Sequence, residues 1–285
     1  MLGHQLCRLL SGRMEVWATY RDDPARYARF NILPAQRALG NVPIHDEDRV
    51  GEVLETVKPD AVVNAIGIVK QRDEAKYAVP SIQVNALLPH RLADLCVERG
   101  IRVVQISTDC VFSGFRGNYT EIDNPDPVDL YGRSKLLGEL NRPGCLTLRT
   151  SIIGWQLNTF SSLLSWFALQ RNKQIKGYHR AIYSGFSTRV MAQLIGDLLQ
   201  TRPDLRGLYQ VASQPISKFD LLIQLRDVLG WSDIVIEPDD QFFCDRSLNG
   251  MRFVTATGWQ APPWDEMIAG LAEEWPRYSD YYSSK

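Results

Sequence analysis

The feature that most constrains this chain is a regular exchange between continuous apolar runs and helical repeats in its first half. Asp60-Ala61-Val62-Val63-Asn64-Ala65, Ile101 to Ser107 and Cys145 to Ile153 are apolar along their length rather than at every second residue. Between them lie segments of helical period. Val50, Val53, Leu54 and Val57 form one face and stop before Pro59; Pro89 to Arg99 turns Leu92, Leu95 and Cys96 inward and meets Gly100 as a cap; Tyr131 to Leu140 is the third. Strands without alternation are buried on both faces, and parallel strands need a helical crossover between them. The pattern therefore predicts an α/β fold built on a doubly wound parallel sheet with helices on both faces. Ahead of it, Leu2, Leu6, Leu9 and Leu10 predict a helix, and Glu15 to Thr19 a short strand. Beyond Trp155 the pattern loosens and aromatic residues accumulate; helices are expected over Val190–Leu199 and Lys218–Leu229, and a strand over Gly207–Val211. Two parts are expected, 1–154 carrying the sheet and 155–285 forming a smaller mixed α/β lobe with segments that return to it. No linker separates them.

Composition excludes several classes. In 285 residues, 32 Lys and Arg face 33 Asp and Glu, a net charge of −1, which leaves no basic footprint for nucleic acid. Cysteines stand at 7, 96, 110, 145 and 244 with no CxxC pair, so neither a disulfide framework nor a metal site is expected, and a reducing cytoplasm suits them. The uncharged stretch from Thr150 to Gln170 has the length of a membrane span. It also carries Gln156, Asn158, Thr159, Ser161, Ser162 and Ser165, and reads instead as a buried strand followed by a helix. The first residues form a helix and lack the apolar core of a secretory signal.

Four polar motifs fall where apolar strands end or helices begin, the place at which doubly wound sheets bind ligands. Asn64-Ala65-Ile66-Gly67 ends one strand with small residues that let a ligand approach the backbone; a plain strand-ending turn would look the same. Asn85-Ala86 opens the following helix, as a holder of a water or a carbonyl or simply as a cap. Ser107-Thr108-Asp109 ends the next strand, with a hydroxyl for a substrate oxygen or for a turn. Tyr131 and Lys135 lie four apart and share one helix face, where an ammonium favours the phenolate that acid–base chemistry needs. Taken singly, such a pair also occurs on many helix surfaces.

The ordered set of these motifs resembles the extended short-chain dehydrogenase/reductases, and within them the dTDP-4-dehydrorhamnose reductase-like group. The stretches that carry the likeness are KPDAVVNAIG (58–67), QVNALLPHRLADLC (83–96), VVQISTDCVFSG (103–114), YTEIDNPDPVDLYGRSKLLGE (119–139) and LRTSIIG (148–154). The resemblance implies a Rossmann-type sheet and a soluble NADP-dependent reductase of a nucleotide-linked 4-keto-deoxysugar, with NAD as the second choice of cofactor and a homodimer compatible with it. It implies Tyr131 as proton donor, Lys135 as the residue that holds the cofactor ribose and lowers the tyrosine pKa, and Thr108 as hydrogen-bond donor to the reacting oxygen. Gly3, Asn64, Ala65, Ile66, Ser107, Ser151 and Ile152 would line the cofactor, and Cys110, Val111, Phe112, Tyr183 and Arg246 the substrate, Arg246 at its diphosphate. The aromatics Trp155, Trp166, Phe167, Tyr178 and Tyr183 are candidates to stack a base or sugar, most of them otherwise core.

The chain departs from that group at three places. It opens at Met1-Leu2-Gly3-His4, which matches only the end of the usual glycine-rich turn, so an internal methionine of a longer protein is expected in preference to a non-catalytic relative. Cys110 follows the Ser-Thr-Asp triplet where the group often has Tyr, as a packing residue rather than a reactive thiol. Arg21 beyond the first strand favours a 2′-phosphate and hence NADP, although Asp22 and Asp23 follow it. Two rival readings share the fold: a sugar-nucleotide epimerase or dehydratase, which Asp109 beside Thr108 leaves open, and a non-catalytic NADP-binding regulatory subunit such as that of methionine adenosyltransferase.

Overall fold

A computed structural model describes residues 1–71, 73–157 and 160–283; Asn158 and Thr159 of the uncharged stretch lie outside them. The chain begins with helix α1 (Leu2–Leu10), followed by β1 (Ala18–Thr19), β2 (Ala38–Leu39), α2 (Glu47–Val57) and β3 (Ala61–Asn64). A helical segment then runs as α3 (Ala78–Ser81), a π-helical turn (Ile82–Leu87) and α4 (Leu88–Val97). Next come β4 (Arg102–Thr108), α5 (Leu130–Leu137), β5 (Cys145–Thr150) and β6 (Ile152–Ile153). The remainder is α6 (Leu163–Ala168), β7 (Gln174–Tyr178), β8 (Ala181–Tyr183), β9 (Phe186–Ser187), α7 (Thr188–Thr201), β10 (Gly207–Gln210), β11 (Ile216–Ser217) and α8 (Lys218–Val228). After these follow β12 (Val235–Asp239), β13 (Cys244–Asp245), α9 (Met251–Thr257), α10 (Trp264–Glu274) and α11 (Ser279–Ser283).

The central sheet is parallel, in the order β10-β5-β4-β3. Its middle strand β5 is buried at all six positions, which is why its sequence shows no alternation. Of the strand expected over Glu15–Thr19, only Ala18 and Thr19 pair, with Ala38 and Leu39, in a separate two-stranded sheet. Among the described residues no strand joins this pair to β3, so the outer edge of β3 is unpaired. The run expected over Cys145–Ile153 breaks at Ser151, and β6 pairs with β9 instead of continuing the central sheet.

Helix α1 packs its Leu2, Leu6 and Leu10 into the main core and crosses α7 at Gly196, where a Cβ would meet Leu10 Cδ2 at 2.4 Å. Each such leucine contributes about 1.5–3 kcal/mol by leaving water. Trp155, fully buried, is surrounded by Trp231, Trp275, Tyr278 and Tyr282 and donates its indole N–H to the Leu271 carbonyl at 2.9 Å. Phe167 is likewise fully buried, so neither ring is open to a ligand. The smaller sheets β11-β8-β13 and β12-β7 lie in the second half of the chain, and bridges from Phe115 to Asp245 and Tyr119 to Leu248 tie it back to the loop after β4. Among the described residues no helix is long and apolar enough to cross a membrane.

Candidate active site

Two elements bring the central groups together, the carboxyl end of β4 and the first turns of α5. Thr108 closes β4 and caps the short turn that follows: its Oγ1 accepts the Cys110 N–H and donates to Asp109 Oδ1, both at 3.1 Å. Asp129 caps α5, its Oδ1 accepting the Gly132 N–H at 2.8 Å and its Oδ2 pairing with Lys70 Nζ at 2.7 Å. Gly132 lets the two elements touch. A Cβ there would stand 2.1 Å from the Cys110 carbonyl oxygen, so the helix can lie against the loop only with glycine at that position. The neighbouring Tyr131 is thereby set near Thr108. Burial, and then the Cys110 thiol, push the phenol above its ordinary pKa, while the Thr108 hydroxyl works the other way. Tyr131 is half-buried and its phenol is held in the protonated form.

Lys135 is 6% exposed and donates from Nζ to the Ile106 carbonyl at 2.6 Å. Burial brings its ammonium down to about 8, and the Glu139 carboxylate opposes that fall. Glu139 in turn accepts from Ser107 Oγ at 2.6 Å, from Arg149 Nε at 2.8 Å and from Arg149 Nη2 at 2.7 Å. Register explains this network. Ser107, Arg149 and Gln210 are direct partners across β4, β5 and β10, so their side chains share one face of the sheet, beneath α5.

The π-helical turn positions Asn85. Its Oδ1 accepts from Ile68 N–H and its Nδ2 donates to the Ile68 carbonyl, each at 2.9 Å, with a further contact to Ser134 Oγ at 3.1 Å. Asn85 thus fastens the loop after β3 to the Tyr131 helix. Pro89 has no N–H to offer its carbonyl, and Gly138 packs against that oxygen, where a Cβ would come within 1.9 Å.

The other residues expected from sequence divide into three groups. Gly3 and Ala65 come together, a Cβ on Gly3 lying 3.9 Å from that of Ala65, with Ile66 exposed beside them. Arg21 is 80% exposed and only loosely paired with Asp22, at 3.6 Å. Ser151 and Ile152 are half-buried where β5 gives way to β6. A second group is turned inward. Asn64 organises its own turn, donating to Gln105 and accepting the Ile66 N–H; Ser107 faces Glu139; Val111 and Phe112 are fully buried in a cluster with Tyr119 and Leu248. A third group meets on the side of the second half of the chain. Arg246 donates from Nε to the Phe112 carbonyl at 2.9 Å and points Nη1 at Cys110 Sγ at 3.8 Å. Burial raises the Cys110 thiol to about 12, which keeps it protonated and unreactive. Tyr183 is 4% exposed and stacks obliquely on Trp264 at 5.6 Å.

Three further residues belong to the site and escaped sequence reasoning. Glu139 could have been found four residues beyond Lys135, on the same face of the helix expected to reach Leu140, although α5 itself ends at Leu137. Lys70 shows no signal in a loop. Lys218 reads as an ordinary surface lysine opening a helix, yet its Nζ lies 4.2 Å above the Tyr183 ring. Asp109 itself is 8% exposed; burial raises its carboxyl, against Arg246, Thr108 and Lys218.

Comparison with known proteins places this geometry in context. Residues 1–239 match the family model described as the RmlD substrate binding domain. The dTDP-4-dehydrorhamnose reductase of Aggregatibacter actinomycetemcomitans is 26% identical over 213 residues, 70% of either chain. Among solved structures, a hypothetical dTDP-4-dehydrorhamnose reductase from Sulfolobus tokodaii superposes with a TM-score of 0.73 at 26% identity, covering 93% of this chain and 94% of that one. The Bacillus anthracis dTDP-4-dehydrorhamnose reductase, solved in complex with NADP, shares the fold at a TM-score of 0.73 and 21% identity, over 91% of this chain and 99% of its own.

Proposed function

The chain belongs to the RmlD substrate-binding-domain family, and from that premise we propose that it is an NADPH-dependent reductase of a nucleotide-linked 4-keto-deoxysugar. One observation carries the reading: Tyr131 in the first turn of α5 lies near Thr108 at the end of β4, and the buried Lys135 follows one turn later on the same helix. The substrate carbonyl oxygen lies between the Thr108 and Tyr131 hydroxyls. Thr108 turns its single O–H from Asp109 Oδ1 to this oxygen, Tyr131 donates to it as negative charge develops, and Tyr131 gives up its proton to form the alcohol. The Lys135 ammonium stabilises the phenolate left behind, a charge that burial otherwise disfavours. NADPH, when bound, supplies the hydride.

The residues present suit that cofactor. Gly3 and Ala65 offer two facing backbones with little side-chain bulk, Arg21 is exposed for a 2′-phosphate, and the Lys135 ammonium, which donates to the Ile106 carbonyl, would hold the ribose. The Bacillus anthracis relative binds NADP, and the relatives named above as dTDP-4-dehydrorhamnose reductases support a deoxythymidine-linked sugar. The test is loss of nicotinamide absorbance with dTDP-4-keto-6-deoxyhexoses. Stoichiometric NADPH consumption is expected; epimerisation or dehydration would return the cofactor. Tyr131→Phe should lower kcat by roughly 10²–10⁴-fold and leave the NADPH Kd unchanged. Full activity in that variant would remove the mechanism.

A further inference from the structure

We propose that Lys70 is a positioning residue, whose ion pair with Asp129 latches the loop after β3 to the start of α5 and so keeps a wall of the site closed beside Tyr131. The inference rests on the reductase reading above and adds to it what holds that site around its substrate.

The loop leaves β3 after Asn64 and carries Ala65 and Ile66, the residues assigned to the cofactor. Two fastenings then bring it to α5. In the first, Asn85 takes both backbone groups of Ile68 at 2.9 Å and meets Ser134 Oγ at 3.1 Å. Gly67 leaves room for this, since a Cβ there would stand 3.4 Å from Asn85 Oδ1. Ser134 in turn donates to the Tyr131 carbonyl at 3.0 Å. In the second, Lys70 Nζ lies 2.7 Å from Asp129 Oδ2. Asp129 precedes Tyr131 and Ser134 follows it, so the loop is pinned to the helix on either side of the phenol residue. Between the fastenings it has little packing of its own: Ile66 is 40% exposed and Gly67 has no side chain.

The two oxygens of Asp129 have separate tasks. Oδ1 accepts the Gly132 N–H at 2.8 Å and caps α5. Oδ2 is closed to water, and among the described contacts it meets only the Lys70 ammonium. A buried carboxylate oxygen left unmatched is costly, whereas a fully exposed pair is nearly neutral. The side chains of Asp129 and Lys70 are 27% and 50% exposed, so this pair lies between those limits. Burial works to raise the Asp129 carboxyl, and the Gly132 N–H and Lys70 together bring it below its ordinary value, which keeps it ionised at neutral pH. Loss of the lysine frees the loop but not the helix, because the Oδ1 cap remains. Thr108, Tyr131 and Lys135 then keep their places while the substrate is held less tightly. In kinetic terms KM rises and kcat does not fall.

The test is a double-mutant cycle read in kinetics. With NADPH saturating, kcat and KM for a dTDP-4-keto-6-deoxyhexose are measured for wild type, Lys70→Met, Asp129→Asn and the double variant. Asparagine caps a helix as well as aspartate does, so Asp129→Asn removes the charge and keeps the cap. Each single variant should raise KM by about two- to fivefold with kcat within about twofold. The double variant should be no worse than either single one, because both remove the same interaction. Raising NaCl from about 0.05 M to about 0.5 M should raise the wild-type KM by more than it raises that of the variants. Lys70→Arg should restore the wild-type KM. If Lys70→Met fails to fold, Lys70→Gln takes its place. An unmoved KM, a loss confined to kcat, losses that multiply in the double variant, or one salt response shared by all four proteins overturns the latch. Failure of the wild type to turn over any 4-keto sugar nucleotide overturns the reductase reading instead. Deuterium exchange at the Ile68 amide then decides the latch: Lys70→Met should speed it and Lys70→Arg should not, and equal rates in all three proteins reject it.

Discussion

Glu139→Gln is the substitution from which most can be learned. The Glu139 carboxylate accepts three hydrogen bonds, one from Ser107 and two from the Arg149 guanidinium, and the two side chains of the ion pair are 8% and 5% exposed. Glutamine keeps the size of the side chain but removes its charge, and its amide nitrogen turns a donor toward the guanidinium donors. The Arg149 Nη1 has no hydrogen-bond partner, and beyond Glu139 the guanidinium meets only the face of the Phe112 ring, 5.4 Å from its centroid, among the described contacts. Breaking a buried pair on one side costs about 3–5 kcal/mol. Denaturant unfolding of the two proteins should give that difference as a shift of midpoint at constant slope. Replacing both partners, in Glu139→Leu with Arg149→Met, should return to within about 1 kcal/mol of wild type, because a buried ion pair contributes little net stability over apolar residues of like volume. The same substitution reaches the active site. Glu139 holds the Lys135 ammonium up against a burial effect that already brings it to about 8. Without Glu139 the lysine should lose its proton at lower pH, and the pH at which NADPH affinity falls should move down with it. A loss below about 1 kcal/mol, or an unmoved pH dependence, would refute the reasoning.

Two other outcomes follow from separate parts of the molecule. Arg21→Ala should raise the NADPH Kd far more than the NADH Kd, since the exposed guanidinium is assigned to the 2′-phosphate that only NADPH carries; an equal change in fluorescence titrations of both would reject that assignment. His4, hydrogen-bonded to the Tyr278 hydroxyl at 2.8 Å, has its pKa lowered to about 2, first by burial. The unfolded chain binds this proton below about pH 6.5 and the folded chain does not, so stability is lost as pH falls through that window, by about 1.4 kcal/mol per pH unit. His4→Gln should remove that share of the acid dependence in melting measurements from about pH 7 down to 5; an identical slope would show that other groups govern it.

The parallel sheet was legible because burial on both faces leaves an unbroken apolar signature, and the grouping of candidate residues was legible where they sit at fixed spacing along one element. Thr108 at a strand end and Tyr131 with Lys135 on one helix are of this kind. Side chains whose roles depend on a neighbouring strand were not. Ser107 reads as a cofactor contact, but its register opposite Arg149 turns its hydroxyl to Glu139. Val111 and Phe112 follow the Ser-Thr-Asp motif, yet stacking of Phe112 on Tyr119 at 4.2 Å draws them into a core of their own. Lys218 acquires its place through a ladder of two pairs between short strands that no local pattern announces. The strand over Glu15–Thr19 was overestimated because pairing, rather than propensity, sets how much of a strand forms.

The bare outer side of β3 also sets a timescale. β5 is enclosed by β4 and β10, and its amides can exchange with deuterium only when the whole sheet opens. In β3, half the peptide groups point toward β4 and half point away, where no described strand receives them. Exchange should therefore run as a gradient across one continuous sheet, seconds at the outward amides of Ala61–Asn64 and hours or more in β5. Ala65 and Ile66 begin directly beyond the fast edge, so a nucleotide seated on them would slow the clock of β3 while leaving that of β5 nearly unchanged.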